Sequence, residues 1–329
     1  MDERLNWLLS GEPWVEYRTR LDLLNQSESD CEVIKARGNM LLHSQIRSLV
    51  SEFSHWDEKV VSNHKSAGLL IHKLVFLADI GMSVDDPGIQ EIINIVMKHI
   101  TESGIIQVLI NVPVHFGGTG KNDWGWALCD TPSIFYSLAK LGMKNDPALI
   151  NGVEVLKAFI KENGYPCAVS PELGKFRGPG KKDDPCPYAT LIMLKTLTQF
   201  DKFKNGRECH IAAESLLYLW TVSKERHPYM FFMGTDFRKL KTPFVWYDIL
   251  HVTDVLSQLD WLKEDARLLE MVDCIKGNAE ENGLFKPQSE WKAWNGWEFG
   301  QKKEPSRWVT FLALRILMRM NSVELGKMM

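Results

Sequence analysis

The chain repeats itself, and the repeat limits its fold more than any other feature. Leu77-Ala78-Asp79-Ile80-Gly81-Met82 returns as Leu138-Ala139-Lys140-Leu141-Gly142-Met143. Each copy closes a helical pattern on Gly, which takes the left-handed position after a helix without steric cost. Each is soon followed by an Asp-Pro step, Asp86-Pro87 and Asp146-Pro147. Asp suits a helix N-cap and Pro the first helical turn. A second echo, Glu102-Ser103-Gly104, Glu162-Asn163-Gly164 and Glu281-Asn282-Gly283, stops longer amphipathic helices. The unit is therefore helix, short turn, helix, longer loop.

Strongly apolar helices are expected near 14–24, 64–80, 131–141, 186–200, 247–262 and 308–320. More charged helices are expected near 88–102, 147–162, 207–224 and 264–281. One apolar set and one amphipathic set imply an inner and an outer layer. No period-2 pattern competes over any length, so the reading is all-α. The last helix is apolar from Trp308 to Met318, where an open array of hairpins would end on a polar capping repeat. The expectation is a closed ring of about six helical hairpins, an α/α toroid, with 1–329 as a single domain.

The chain has 329 residues, 45% of them hydrophobic, which is ample for a large core. A net charge of -3 gives no basic excess to hold nucleic acid. The N-terminus, Met1-Asp2-Glu3-Arg4, opens on acids rather than on a basic and then apolar leader. The longest uncharged stretches, such as 103–114, are too short to span a bilayer. Cys31, Cys129, Cys167, Cys186, Cys209 and Cys274 are scattered, with no CxxC pair, so a reduced cytoplasmic protein is expected. Of the 12 tryptophans, Trp124, Trp126, Trp291, Trp294 and Trp297 sit in Gly-containing connections. They read either as caps on long helices or as the wall of an aromatic cavity.

In a ring of hairpins, the starts of the inner helices face one mouth. Their partial positive charge favours anions there. The loop before the fourth inner helix sets Lys175, Arg177, Lys181 and Lys182 beside glycines, and Asp184 and Cys186 follow at the helix start. The fifth inner helix opens Trp246-Tyr247-Asp248-Ile249-Leu250-His251, after the basic run Arg238 to Lys241. Asp184, Cys186 and His251 supply carboxylate, thiolate and imidazole, all zinc donors. Three protein ligands leave a fourth position open, as in catalytic sites.

Asp184-Pro185-Cys186, with Tyr188 close behind, resembles the zinc-ligand step of protein prenyltransferase β subunits. Asp248 to His251, followed by Leu256-Ser257-Gln258-Leu259, resembles the segment that supplies that family's zinc histidine. The resemblance implies zinc at Asp184, Cys186 and His251. It also implies a diphosphate-binding role for Arg177, Lys181 and Tyr188. The chain differs in one extra residue between Arg177 and Lys181 and in Pro187 between Cys186 and Tyr188. The function so implied is that of a prenyltransferase-like enzyme acting on an isoprenoid diphosphate or similar hydrophobic small molecule. A partner subunit or peptide is left undefined.

Plainer readings stand beside these. A Cys on an apolar helix packs as a small hydrophobe, Asp184 before Pro185 caps a helix, and His251 bonds within a core. Terpene cyclases share the toroid, but Ser83-Val84-Asp85-Asp86 lacks their first acidic residue and reads as a turn. A ligand-binding toroid without catalysis and a carbohydrate-active barrel using Asp130, Asp184 or Asp248 are the remaining classes.

Overall fold

The computed structural model describes residues 2–176, 183–225 and 231–326, with 321–326 as backbone only. Their helices are α1 (Glu3–Leu9), α2 (Pro13–Asp22), α3 (Cys31–Leu42), α4 (Ser44–Ser51), α5 (Leu70–Asp79), α6 (Ile89–Met97) and α7 (Thr131–Leu138). They continue as α8 (Pro147–Lys157), α9 (Pro187–Leu197), α10 (Arg207–Thr221), α11 (Ile249–Leu256), α12 (Ala266–Lys276) and α13 (Arg307–Gly326). The chain forms two compact units, one of residues 1–47 with 233–329, the other of residues 48–232.

The division into apolar and amphipathic helices holds. Every residue of α7, α9 and α11 is buried, and so is all of α5 except Lys73. In contrast, α6, α8 and α12 bury one stripe each, led by Ile89, Ile92 and Val96 in α6. The expected starts were right to within a few residues, apart from α5. There the sequence pattern suggested a helix from His64, but the helix begins at Leu70. Asn63 explains the delay: its side chain accepts from the Lys65 amide and its carbonyl from the Ser66 amide, so 63–66 is a turn.

The all-α expectation needs one correction. β1 (Val108–Asn111) and β2 (Asn122–Gly125) pair antiparallel, Val108 opposite Gly125. Strands of four residues are too short for alternation to show against the surrounding apolar sequence. Trp124 on β2 stacks on His99, with ring centroids 3.5 Å apart.

The repeat proves to be a repeated joint. Gly104, Gly164 and Gly283 have φ of 82°, 122° and 74°, and each closes a tight turn after an amphipathic helix. A Thr in the first turns of the next apolar helix then holds the residue just past that turn. Thr190 Oγ1 accepts from the Tyr165 amide at 3.0 Å, and Thr310 Oγ1 from the Phe285 amide at 2.9 Å. Thr131 Oγ1 donates to the Ile106 carbonyl at 3.3 Å. All three pairs are 25 residues apart. The Asp-Pro steps split in role: Asp146 caps α8 through the Ala148 and Leu149 amides, whereas Asp86 accepts from Ser83 and closes the preceding turn.

Each unit also buries an ion cluster among its apolar helices. In residues 48–232, Asp79 of α5 accepts from the Tyr136 hydroxyl of α7 and pairs with Lys195 of α9 at 3.6 Å. The Lys195 ammonium lies 4.3 Å from the Tyr136 ring centroid. In the other unit, Asp254 of α11 accepts from Arg315 at 2.8 Å and Arg319 at 2.9 Å, both on α13.

Candidate metal centre

Cys186 is the N-cap of α9 and its carbonyl accepts from the Thr190 amide, as Ser306 does from Thr310 and Ala127 from Thr131. Its sulfur accepts from the Ala189 amide at 3.4 Å. The segment 165–168 runs beside it: the Cys186 amide donates to the Tyr165 carbonyl at 2.7 Å. On its other side the Leu128 amide donates to the Ala168 carbonyl at 3.0 Å. These two backbone bonds place Cys167 between Cys129 and Cys186. The three sulfurs lie within 4.8 Å of one another, Cys129 and Cys186 buried and Cys167 half-buried.

The Cys129 and Cys186 sulfurs are 3.8 Å apart. Two thiolates bound to one tetrahedral zinc at about 2.3 Å each also stand about 3.8 Å apart. The donor set and its spacing therefore fit zinc, which prefers sulfur and nitrogen ligands.

The thiols are not equivalent. Hydrogen bonds from Cys129 and then Cys167 hold the Cys186 thiol well below its ordinary ionisation range. Burial opposes this, while the Ala189 amide and His64 add to it. Cys129 is pushed well up, by its contacts with Cys167 and Cys186 and by burial. Cys186 is thus the first of the three to become a thiolate.

An imidazole and a carboxylate adjoin the sulfurs. His64 Nδ1 lies 2.8 Å from the carboxylate of Asp130, the residue after Cys129. Burial works against the imidazolium, but Asp130 and Cys186 outweigh it and raise the His64 pKa. The buried His72 of α5 donates through Nε2 to the His64 carbonyl at 2.8 Å. Desolvation lowers the His72 pKa to about 4, so this ring is neutral.

The structure treats the residues singled out in the sequence differently. Cys186 is in the cluster. Asp184 stands outside it, half-buried, two residues before the cap. Tyr188 is 1% exposed in the first turn of α9. Arg177 and Lys181 lie outside the described residues. His251 belongs to the other unit, stacked on Phe244 with centroids 4.5 Å apart and its Nδ1 donating to the Trp246 carbonyl at 3.0 Å. There Asp248 caps α11 by accepting from the His251 amide at 3.1 Å. It is fully buried and its pKa is pushed up to about 7, mainly by desolvation.

Cys129, Cys167, His64 and Asp130 were not foreseen as a group. No spacing motif links them, because they come from three separate segments, only Cys129 and Asp130 being adjacent. The one available signal was a Cys where the repeat elsewhere has Ser or Ala.

No family model and no curated protein matches this chain. Among solved structures, it is similar to a protein from Actinoplanes at 12% identity and TM-score 0.43, covering 94% of this chain and 90% of that one. A variant of type II terpene cyclase MstE from Scytonema, with geranylgeranyl dihydroxybenzoate as substrate, gives 12% identity and TM-score 0.41 over 94% and 87% of the two chains. The apo form of that cyclase gives 11% identity and TM-score 0.40 over 96% and 89%. Among the described residues, no helix is long and apolar enough to cross a membrane.

Proposed function

We propose that this protein is a zinc enzyme of isoprenoid chemistry, built on the toroid implied by its repeat, with Cys129, Cys167 and Cys186 as metal ligands. One observation carries the metal: three sulfurs within 4.8 Å, two of them separated by a tetrahedral edge. This assignment keeps zinc and Cys186 from the sequence motif and takes Cys129 and Cys167, rather than Asp184 and His251, as the other protein donors. Zinc held by three thiolates supplies a fourth position in which a bound water or thiol loses its proton more readily. Cys186, whose thiolate is the most favoured, would be the first to offer a donor to the metal, and Cys129 and Cys186 are buried. An isoprenoid diphosphate or similar amphiphile as substrate rests on the resemblance of Asp184 to Tyr188 and of Asp248 to His251 to prenyltransferase β subunits. The test is zinc content after purification without chelators. We expect about one equivalent in wild type and loss of most of it in Cys129→Ala and Cys186→Ala. Wild-type protein with less than about a tenth of an equivalent rules the centre out. Calorimetric titration with farnesyl diphosphate tests the substrate class, and absence of binding by zinc-loaded protein rejects it.

A cyclase-like reaction is favoured by a different residue. Starting a cyclisation by protonating an alkene needs an acid that is still protonated near neutrality. Asp248, with its pKa near 7, is such an acid.

A further inference from the structure

We propose that His64 is the imidazole donor of the three-thiolate centre, binding through Nε2, with Asp130 as the carboxylate behind it; the proposal rests on the zinc reading above. A zinc-bound His usually gives its second ring N–H to a carboxylate or carbonyl, which fixes the tautomer and aims the other nitrogen. His64 already has this arrangement, with Nδ1 2.8 Å from an Asp130 carboxylate that is 2% exposed. Among the described residues its Nε2 makes no hydrogen bond. Asp130 follows Cys129 directly in the chain, so the carboxylate and one sulfur ligand share a backbone. His72, neutral and buried, anchors the His64 carbonyl at 2.8 Å. His64 is near enough to Cys186 for their charges to interact.

His64 stands outside the 4.8 Å sulfur cluster, and its side chain is 29% exposed. It sits on the turn before α5 rather than in the helix. Binding needs three thiolates and the lone pair of a neutral imidazole, so whatever protons these groups still carry are released, and no bond is oxidised or reduced. With zinc bound, His64 would fill the fourth position, and a reacting water or thiol would have to displace it while Asp130 held the ring.

Zinc-edge X-ray absorption on protein purified without chelators tests this, on wild type, His64→Ala, His251→Ala and Asp130→Asn. The expected wild-type spectrum has three sulfur scatterers and one nitrogen with the outer-shell pattern of a single imidazole. That pattern is lost in His64→Ala, where oxygen replaces nitrogen beside an intact sulfur shell, and is kept in His251→Ala. Asp130→Asn weakens zinc affinity by about tenfold to a hundredfold, as expected for removing a group that orients a ligand. Three sulfurs without an imidazole pattern in wild type overturn the assignment of His64 but leave the three-thiolate centre standing. So does a pattern that survives in His64→Ala or vanishes in His251→Ala. Wild type with no sulfur shell overturns both.

Discussion

Asp248 shows how a single residue can do two jobs with opposing demands. As N-cap of α11 it accepts from the His251 amide, which favours its charged form. Desolvation at full burial is the larger effect and raises its pKa to about 7, although the nearby Lys241 also favours the charge. The folded protein therefore holds this proton far more tightly than the unfolded chain does, where the value is 3.8. The stabilisation is complete below pH 3.8 and is lost as pH rises toward 7, by on the order of 4 kcal/mol. In Asp248→Asn the amide oxygen still caps the helix but nothing ionises, so the denaturant midpoint falls less between pH 4.5 and 7.5 than in wild type. Identical pH slopes in the two proteins reject the shifted pKa. The same variant bears on the cyclase reading, which requires that it lose all proton-initiated turnover. Glu298, whose carboxylate accepts from the Arg307 and Trp308 amides at the start of α13, is raised to about 7 by desolvation as well, so some slope remains in the variant.

The three apolar helices α5, α7 and α9 meet around Asp79, Tyr136 and Lys195. Lys195 is 3% exposed and pairs with an Asp that is 7% exposed. A buried pair contributes little over a well-packed apolar replacement, but removing one partner strands the other charge. Lys195→Met is expected to destabilise by about 3–5 kcal/mol, and the double change Lys195→Met with Asp79→Leu to recover much of that. Urea unfolding of both variants checks it, and a double variant no better than the single one contradicts the account. Elements of this kind were legible in advance because apolar runs between Gly stops and Asp-Pro starts leave few alternatives. The start of α5 was not, because Asn63 turns the chain where apolar periodicity already favours helix. That delay frees His64 from helix geometry and brings it to Asp130.

Zinc bound at the three thiolates, as proposed, would add to the stability of the unit of residues 48–232 through mass action, since unfolding separates ligands drawn from distant segments. At a hundredfold excess over its dissociation constant the gain is about 2.7 kcal/mol. For a unit of this size that corresponds to a rise in Tm of roughly 5–11 °C. Calorimetry with and without a chelator should show the shift in wild type and not in Cys129→Ala. An equal shift in both means that the metal binds elsewhere. The sequence by itself determined the alternation of apolar and amphipathic helices, the turns that join them, and the placing of Cys186 at a helix start, because periodicity and turn chemistry act over a few neighbouring residues. It could not choose the companions of Cys186. Cys129 and Cys167 meet it only through backbone pairing of 165–168 with both flanking segments, and His64 and Asp130 come near it through α5, α7 and α9 packing side by side. Contacts between residues dozens of positions apart leave no mark in local spacing, so tertiary structure alone selected the members of the site.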